Sequence, residues 1–325
     1  MRSYVAVAAL MVAALFVGGA DAEAQQEPSP PSSVVRQSLD DAWWTGPMYA
    51  NSAGTLPRGH FLIEPFFADV TAAHSHGFGS LTYVFYGLTD RVMVGLMPTA
   101  GFNKLSNGLS SSGVGLGDVI SQAQYRLTQF HAGSWIPTTS VVLQETLPTG
   151  KYDRLGDRPS DGLGSGAFST ALGPNFETYF WLPNGRILRM RFDVSQAFSN
   201  NVKVEGVSVY GTGAGFRGHA KPGNSFFVNA SWEYSLTRSW VLALDATYRH
   251  NWNTRVSGYN TDPNSVQNQP SIWLDCGSSE AFAFAPAIEY SWKPNLGVLF
   301  GTRVIPASHN THATITPAVA INYVH

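Results

Sequence analysis

A single cysteine in 325 residues leaves no material for a disulfide framework or a multi-cysteine metal site. Charge is scarce as well. Asp, Glu, Lys and Arg together make up 13% of the chain, about half the share usual in soluble globular proteins, which excludes long charged amphipathic helices. The 20 basic and 22 acidic residues nearly cancel to a net charge of −2, so the basic stripe that nucleic-acid binding needs is missing. Past the amino-terminal segment, no apolar run approaches the roughly 18 residues of a helical membrane span. What the sequence has in quantity is aromatic residues (13%), with 32 glycines and 19 prolines.

Residues 1–24 read as a secretory signal peptide. Arg2 supplies the positive start, Val5 to Val17 the apolar stretch, and Ala22-Glu23-Ala24 the cleavage pattern. Gln25 follows where a lipid-anchored protein would carry cysteine. Residues 25–56 form a flexible amino-terminal arm or a plug. The arm opens on a Pro/Ser-rich stretch, Gln25 to Ser33. Its later part, Ser38-Leu39-Asp40-Asp41 followed by Trp43 and Trp44, is a short amphipathic piece. It either folds into a lumen as a plug, lies on the membrane surface, or stays unordered.

Residues 57–325 alternate apolar and polar side chains over segments of about ten to fourteen residues, roughly twice the usual strand length in soluble proteins. In Trp240 to Asn251, Leu242, Leu244, Ala246 and Tyr248 oppose Asp245, Thr247, Arg249 and Asn251. Leu188, Met190, Phe192 and Val194 oppose Arg189, Arg191, Asp193 and Ser195, and Phe226 to Tyr234 repeats the pattern. Short connections take turns with long Gly/Ser/Asn-rich ones, among them Thr71–His76, Asn200–Gly223 and Thr254–Ser279. The count is about twelve strands, within ten to fourteen; Val207–His219 offers a thirteenth, but parity argues against it, and Asn200–Gly223 reads as an outer loop with room for its own hairpin. This is the pattern of an all-β, transmembrane, antiparallel up-and-down β-barrel in the bacterial outer membrane, with short periplasmic turns and long outer loops. Trp135, Trp181, Trp240 and Trp292 sit beside short turns, where their rings would anchor the periplasmic interface.

With the apolar faces toward lipid, the polar faces line a lumen. The inward set is Glu64, Gln122, Gln124, Arg126, Glu177, Arg189, Arg191, Asp193, Glu233, Asp245, Arg249, Glu289 and Arg303. Both signs are present, so facing charges would pair and the pore has little reason to select strongly by charge. The lumen-facing candidates singled out for a solute path are Glu64, Arg126, Glu177, Arg189, Arg191, Glu233 and Arg249. They serve equally as struts that stiffen and close the interior.

Gly115-Leu116-Gly117-Asp118, Gln124-Tyr125-Arg126-Leu127 and Leu147-Pro148-Thr149-Gly150-Lys151-Tyr152, with the glycines of Gly162 to Gly166, resemble the outer-membrane proteins of the MetA-pathway of phenol degradation family. The resemblance runs from about Leu56 to His325, with its specific residues between 115 and 166. It implies a β-barrel transporter related in architecture to fatty-acid and aromatic-hydrocarbon channels, and it brings no catalytic residues. Read on their own chemistry, these glycines and Asp118 are architectural, with Asp118 placed to accept hydrogen bonds from turn amides.

Other residue types give weak signals. His74 and His76 in the first outer loop and His309 and His312 in the last are the weak metal candidates, neighbours if the last strand pairs with the first. Cys276 has no local nucleophile signature, and no Ser/His/Asn constellation stands out, so neither catalysis nor a cofactor is expected. The expected function is passive uptake or efflux of small hydrophobic or aromatic solutes. Expected partners are outer-membrane lipid, the barrel-assembly machinery and the solute, without nucleic acid. The rival is a structural or surface-interaction barrel with a shut lumen and partner-binding outer loops.

Overall fold

The structure, a computed structural model, describes residues 35–261 and 271–325. The expected signal peptide, the start of the arm and part of the fifth outer loop lie outside the described residues.

Twelve antiparallel strands, each paired with its neighbours in sequence, close into a barrel. They are β1 (Phe61–Ala72), β2 (Ser75–Thr89), β3 in two pieces about Pro98 (Val92–Met97 and Thr99–Leu105), and β4 in two pieces (Gly115–Leu116 and Val119–Thr128). Then come β5 (Thr138–Leu147), β6 (Ser169–Trp181), β7 (Ile187–Ser199), β8 (Ser225–Ser235) and β9 (Trp240–Asn251). β10 (Ser279–Lys293), β11 (Leu296–Ile305) and β12 (Thr314–Val324) complete the wall. β12 returns to β1, with Ile63 opposite Tyr323 and Phe66 opposite Ala320. Closure leaves no row of unpaired N–H and C=O groups at a sheet edge, which hydrocarbon would not tolerate. The break in β3 falls where proline has no N–H for the ladder; its carbonyl still accepts from Thr82 N at 3.1 Å.

Burial is inverted relative to a soluble protein. In β7, Arg189, Arg191 and Asp193 are buried while Phe192 is 43% exposed; in β9, Asp245 is buried while Leu242 and Leu244 face out. Alternation with a period of two therefore separates a polar interior from an apolar exterior. Trp240 and Trp292 point outward and are linked through Tyr290, whose ring centroid lies 4.5 Å from the first and 5.3 Å from the second. Trp135, in the turn after β4, is almost fully exposed.

Three expectations need correction or refinement. Trp181 does not join the outer belt. The register of β6 puts it on the inward row with Glu177 and Tyr179, and its indole N–H donates to the Gln37 carbonyl at 2.8 Å. Thr71–His76 is not a loop, because Ala72 pairs with Ser75 and a two-residue turn, Ala73-His74, suffices for a hairpin. Finally, Val207–His219 adds no barrel strand. Val202–Glu205 and Phe216–Lys221 form a hairpin that pairs on with Arg255–Asn260 and then Ser271–Asp275, a separate four-stranded sheet built from the outer connections. One face of that sheet packs Val202, Val204, Phe216, Ala220 and Val256 together. On the other, Lys203 and Arg154 contact Glu205 at 3.0 and 2.6 Å and hold its carboxyl below the ordinary range.

Candidate functional site

An extended segment inside a barrel has no strand to pair with, so its backbone donors must find side chains or be left orphaned. Residues 37–54 solve this with the inward carboxylates of the wall. Gln37 N and Trp43 N donate to the carbonyls of Gly185 and Arg238 in two short turns, both at 2.9 Å. Glu289 then accepts from Thr45 N at 2.7 Å, the Thr45 hydroxyl at 2.9 Å and Gly46 N at 3.1 Å. Asp245 accepts from Tyr49 N at 3.2 Å and Ala50 N at 3.1 Å. Asp193 accepts from Asn51 N at 2.8 Å, and Glu177 from the Ser52 hydroxyl at 3.0 Å. From the opposite wall, the Gln124 amide donates to the carbonyls of Ser52 and Gly54, both at 2.9 Å. The wall is also shaped for this strap. A Cβ at Gly297 would collide with Thr45, and one at Gly301 with Met48.

Beside the strap lies a chain of alternating charges. The Nε of Arg191 is 3.0 Å from Glu177 and 3.3 Å from Glu233, and Arg189 donates to Glu233 through Nε at 2.7 Å. The Arg189 guanidinium sits 4.4 Å from the centre of the Trp44 ring, and Arg191 donates to the Ala50 carbonyl at 2.8 Å. All four side chains are almost wholly buried, so the pairing is what makes their charges tolerable in a closed interior.

Three cavities surround the strap. The smallest, about 260 Å³, lies between Thr45–Pro57 and Leu62, Glu64, Phe85 and Met93. The largest, about 700 Å³, is lined by Phe66, Val70, Leu81, Tyr83 and Leu163. It exists because the inward positions of β2 and β3 at that level are Gly77, Gly79 and Gly101, which put no side chain into the lumen. A third, about 380 Å³, is more polar and is lined by Gln144, Asn175, Ser195, Phe227 and Arg249. Tyr49 borders all three. Since a dry cavity of about 150 Å³ accommodates benzene, the largest has room for a single-ring solute.

A sequence profile described as "Putative MetA-pathway of phenol degradation" matches residues 46–304. The chain belongs to this family. Among solved structures, the fold is similar to an outer membrane channel from Pseudomonas putida F1, with a TM-score of 0.60 at 12% identity over 86% of this chain and 100% of that one. Two further structures overlap less well. These are the translocator domain of an autotransporter from Neisseria meningitidis (TM-score 0.46, 10% identity, 84% and 89% covered) and a toluene transporter from Pseudomonas putida (0.35, 12%, 90% and 98%). At such identities the likeness concerns the fold alone, and only the first match is close enough to bear on it. No curated protein sequence matches the chain.

Two of the motifs through which the sequence resembles the phenol-degradation family, Gly115–Asp118 and Leu147–Tyr152, meet the glycines of 162–166 in one knot at the outer rim, while Gln124 of the third grips the strap. Asp118 accepts from Gly150 N at 3.0 Å, Ser165 N at 2.7 Å and the Ser165 hydroxyl at 2.8 Å. The Thr149 hydroxyl donates to the Gly117 carbonyl at 2.9 Å. Gly150 and Gly164 touch backbone to backbone, where a Cβ on either would clash. The knot holds Leu163 over the inner faces of Gly101 and Gly115, so a family motif with no chemistry of its own shapes the apolar cavity.

Of the seven lumen candidates, Glu177, Arg189, Arg191 and Glu233 come together in the charge chain. Glu64 stands apart and accepts from the Asn322 amide at 3.2 Å. Arg249 lies over the Phe227 ring at 4.7 Å. Arg126 shares the face of Gln122 and Gln124 but forms no ion pair among the described residues. The four histidines have different surroundings. His76 pairs with Asp69 at 3.0 Å, His74 occupies the turn, His309 offers its backbone carbonyl to Glu280 N, and His312 borders the large cavity. Among the described residues, no three His, Cys, Asp or Glu side chains gather as a metal site would require. Sequence reasoning missed Tyr49, Met48 and the glycine patch. The glycines at 77 and 79, alternate positions of one strand, were the available signal.

Proposed function

We propose that the protein is an outer-membrane channel through which small, apolar or aromatic solutes pass by passive diffusion, with residues 36–56 as an internal plug. The leader at residues 1–24 would deliver the chain to the periplasm, and the barrel-assembly machinery would insert it among outer-membrane lipids. The observation that carries this reading is the roomy, largely apolar cavity against the strap inside a closed, inside-out barrel. A barrel that served only as a scaffold would have no use for such space. The similar Pseudomonas putida structure is itself an outer membrane channel. Passage needs a lumen, weak binding and an exit, and no covalent step. The seven lumen candidates line this path or brace it, and the charge chain leans toward bracing.

Conductance of the refolded protein in planar bilayers, with and without residues 25–56, tests the proposal. Low conductance that rises after the deletion, together with liposome uptake of a phenol, is the expected outcome. Neither conductance nor uptake in either form would overturn it in favour of an occluded interaction barrel.

A further inference from the structure

Most lumen carboxylates are committed: Glu289, Asp245 and Asp193 to strap amides, Glu177 and Glu233 to Arg189 and Arg191. Two arginines toward the outer mouth are not matched in this way. Arg249 on β9 and Arg303 on β11 have no carboxylate within 4.0 Å among the described residues. Both cations neighbour Tyr49, which borders one cavity with Arg249 and lies under the Arg303 guanidinium. Each guanidinium lies over a ring instead, Arg249 over Phe227 at 4.7 Å and Arg303 over Tyr49 at 5.1 Å. Asp245 is at the level of Arg303, but its oxygens already accept from Tyr49 N, Ala50 N and the Asn229 amide.

Unused hydrogen-bonding capacity gathers at the same place. Arg303 Nε, the Thr316 hydroxyl opposite it on β12 and the nearby Thr314 hydroxyl are buried without a hydrogen-bond partner from the protein. Thr316 is 2% exposed. The Arg303 Nε and the two buried hydroxyls are costly to leave unpartnered in a lumen unless something that accepts from them visits, and Arg249, whose side chain is exposed on the same inner face, adds a second cation. Thr314 and Tyr49 border the apolar cavity, and Tyr49 and Arg249 border the polar one. Tyr49, under the Arg303 guanidinium, thus marks a place where the apolar space meets the polar one.

We infer that Arg303 and Arg249, with Thr314 and Thr316, form a binding site for an organic carboxylate whose flat apolar body occupies the cavity lined by Phe66, Leu81 and Tyr83. This rests on the channel reading and narrows its solute from apolar or aromatic molecules to aromatic carboxylates. A guanidinium fork suits a carboxylate, and the rings suit a planar body.

The test is equilibrium binding of benzoate and its neutral isostere benzamide to the refolded full chain, followed by liposome uptake of both. Benzoate should bind the wild type more tightly than benzamide does. In R249Q/R303Q the preference should vanish through a loss of about ten-fold or more in benzoate affinity, the size expected for charge-assisted hydrogen bonds. R303K should recover part of it, and a retained gel-mobility shift on heating would establish that each variant folds. Equal binding of the two ligands by the wild type, or an unchanged preference in the double variant, overturns the site. Binding that depends on the arginines without uptake of either ligand leaves the site standing and refutes the channel instead.

Discussion

Glu233 has no exposed side-chain surface and faces both Arg189 and Arg191, so its carboxylate is the hinge of the charge chain. Glu233→Ala should destabilise the barrel by about 3–5 kcal/mol, the usual cost of leaving buried cations without their partner. Urea unfolding in liposomes, followed by tryptophan fluorescence, would measure it. Arg126→Ala, outside the chain, should change stability by less than about 1 kcal/mol. At this scale the sequence is a partial guide. Which side chains share a face follows from parity, and β7 and β9 bear that out with Arg189, Arg191, Asp193 and Asp245 inside and Phe192, Leu242 and Leu244 outside. Which of them touch depends on stagger between strands and on what fills the barrel, and neither is written in any local pattern. That Asp193, Asp245 and Glu289 hold a backbone, whereas Glu177 and Glu233 meet guanidinium groups, emerges only once the strap is in place.

Among the elements, the strap and the rim knot make separable claims. Gly301→Val would drive a side chain into the space of Met48 while leaving the ladder of β11 intact. It should raise bilayer conductance in the full-length chain without abolishing folding, as single-channel recording and heat-modifiable gel migration would show. Asp118→Ala removes the acceptor for Gly150 N, Ser165 N and the Ser165 hydroxyl. A buried donor left unsatisfied costs about 1–3 kcal/mol. The Pro148–Gly166 connection should loosen accordingly, with faster tryptic cleavage at Lys151 or Arg154 and little change in unfolding of the wall. Twelve strands were legible because lipid on one side and a polar lumen on the other impose the clearest two-residue alternation a strand can carry. The outer sheet was not, because Phe216–Lys221 and Arg255–Asn260 come from different connections and short strands rich in glycine look like loop until they pair.

For the whole molecule, the outside-in arrangement sets an orientation that one residue can report. Cys276 is exposed in the fifth outer connection and is the only cysteine in the sequence. A membrane-impermeant maleimide added to intact cells should label it, and labelling only after lysis would invert the topology. The way the strap is held also bears on how this protein is free to change. The wall grips peptide N–H groups at Thr45, Gly46, Tyr49, Ala50 and Asn51, which every residue but proline supplies. Mutational drift is therefore cheap wherever the strap's backbone is ordinary and the side chain is not itself engaged, as at Asn51; a saturation library should show tolerance there except to proline, and intolerance at Gly46, whose φ of +104° side chains rarely adopt. The strap's own proline, Pro47, falls in the gap between the two gripped pairs, where no donor is called for.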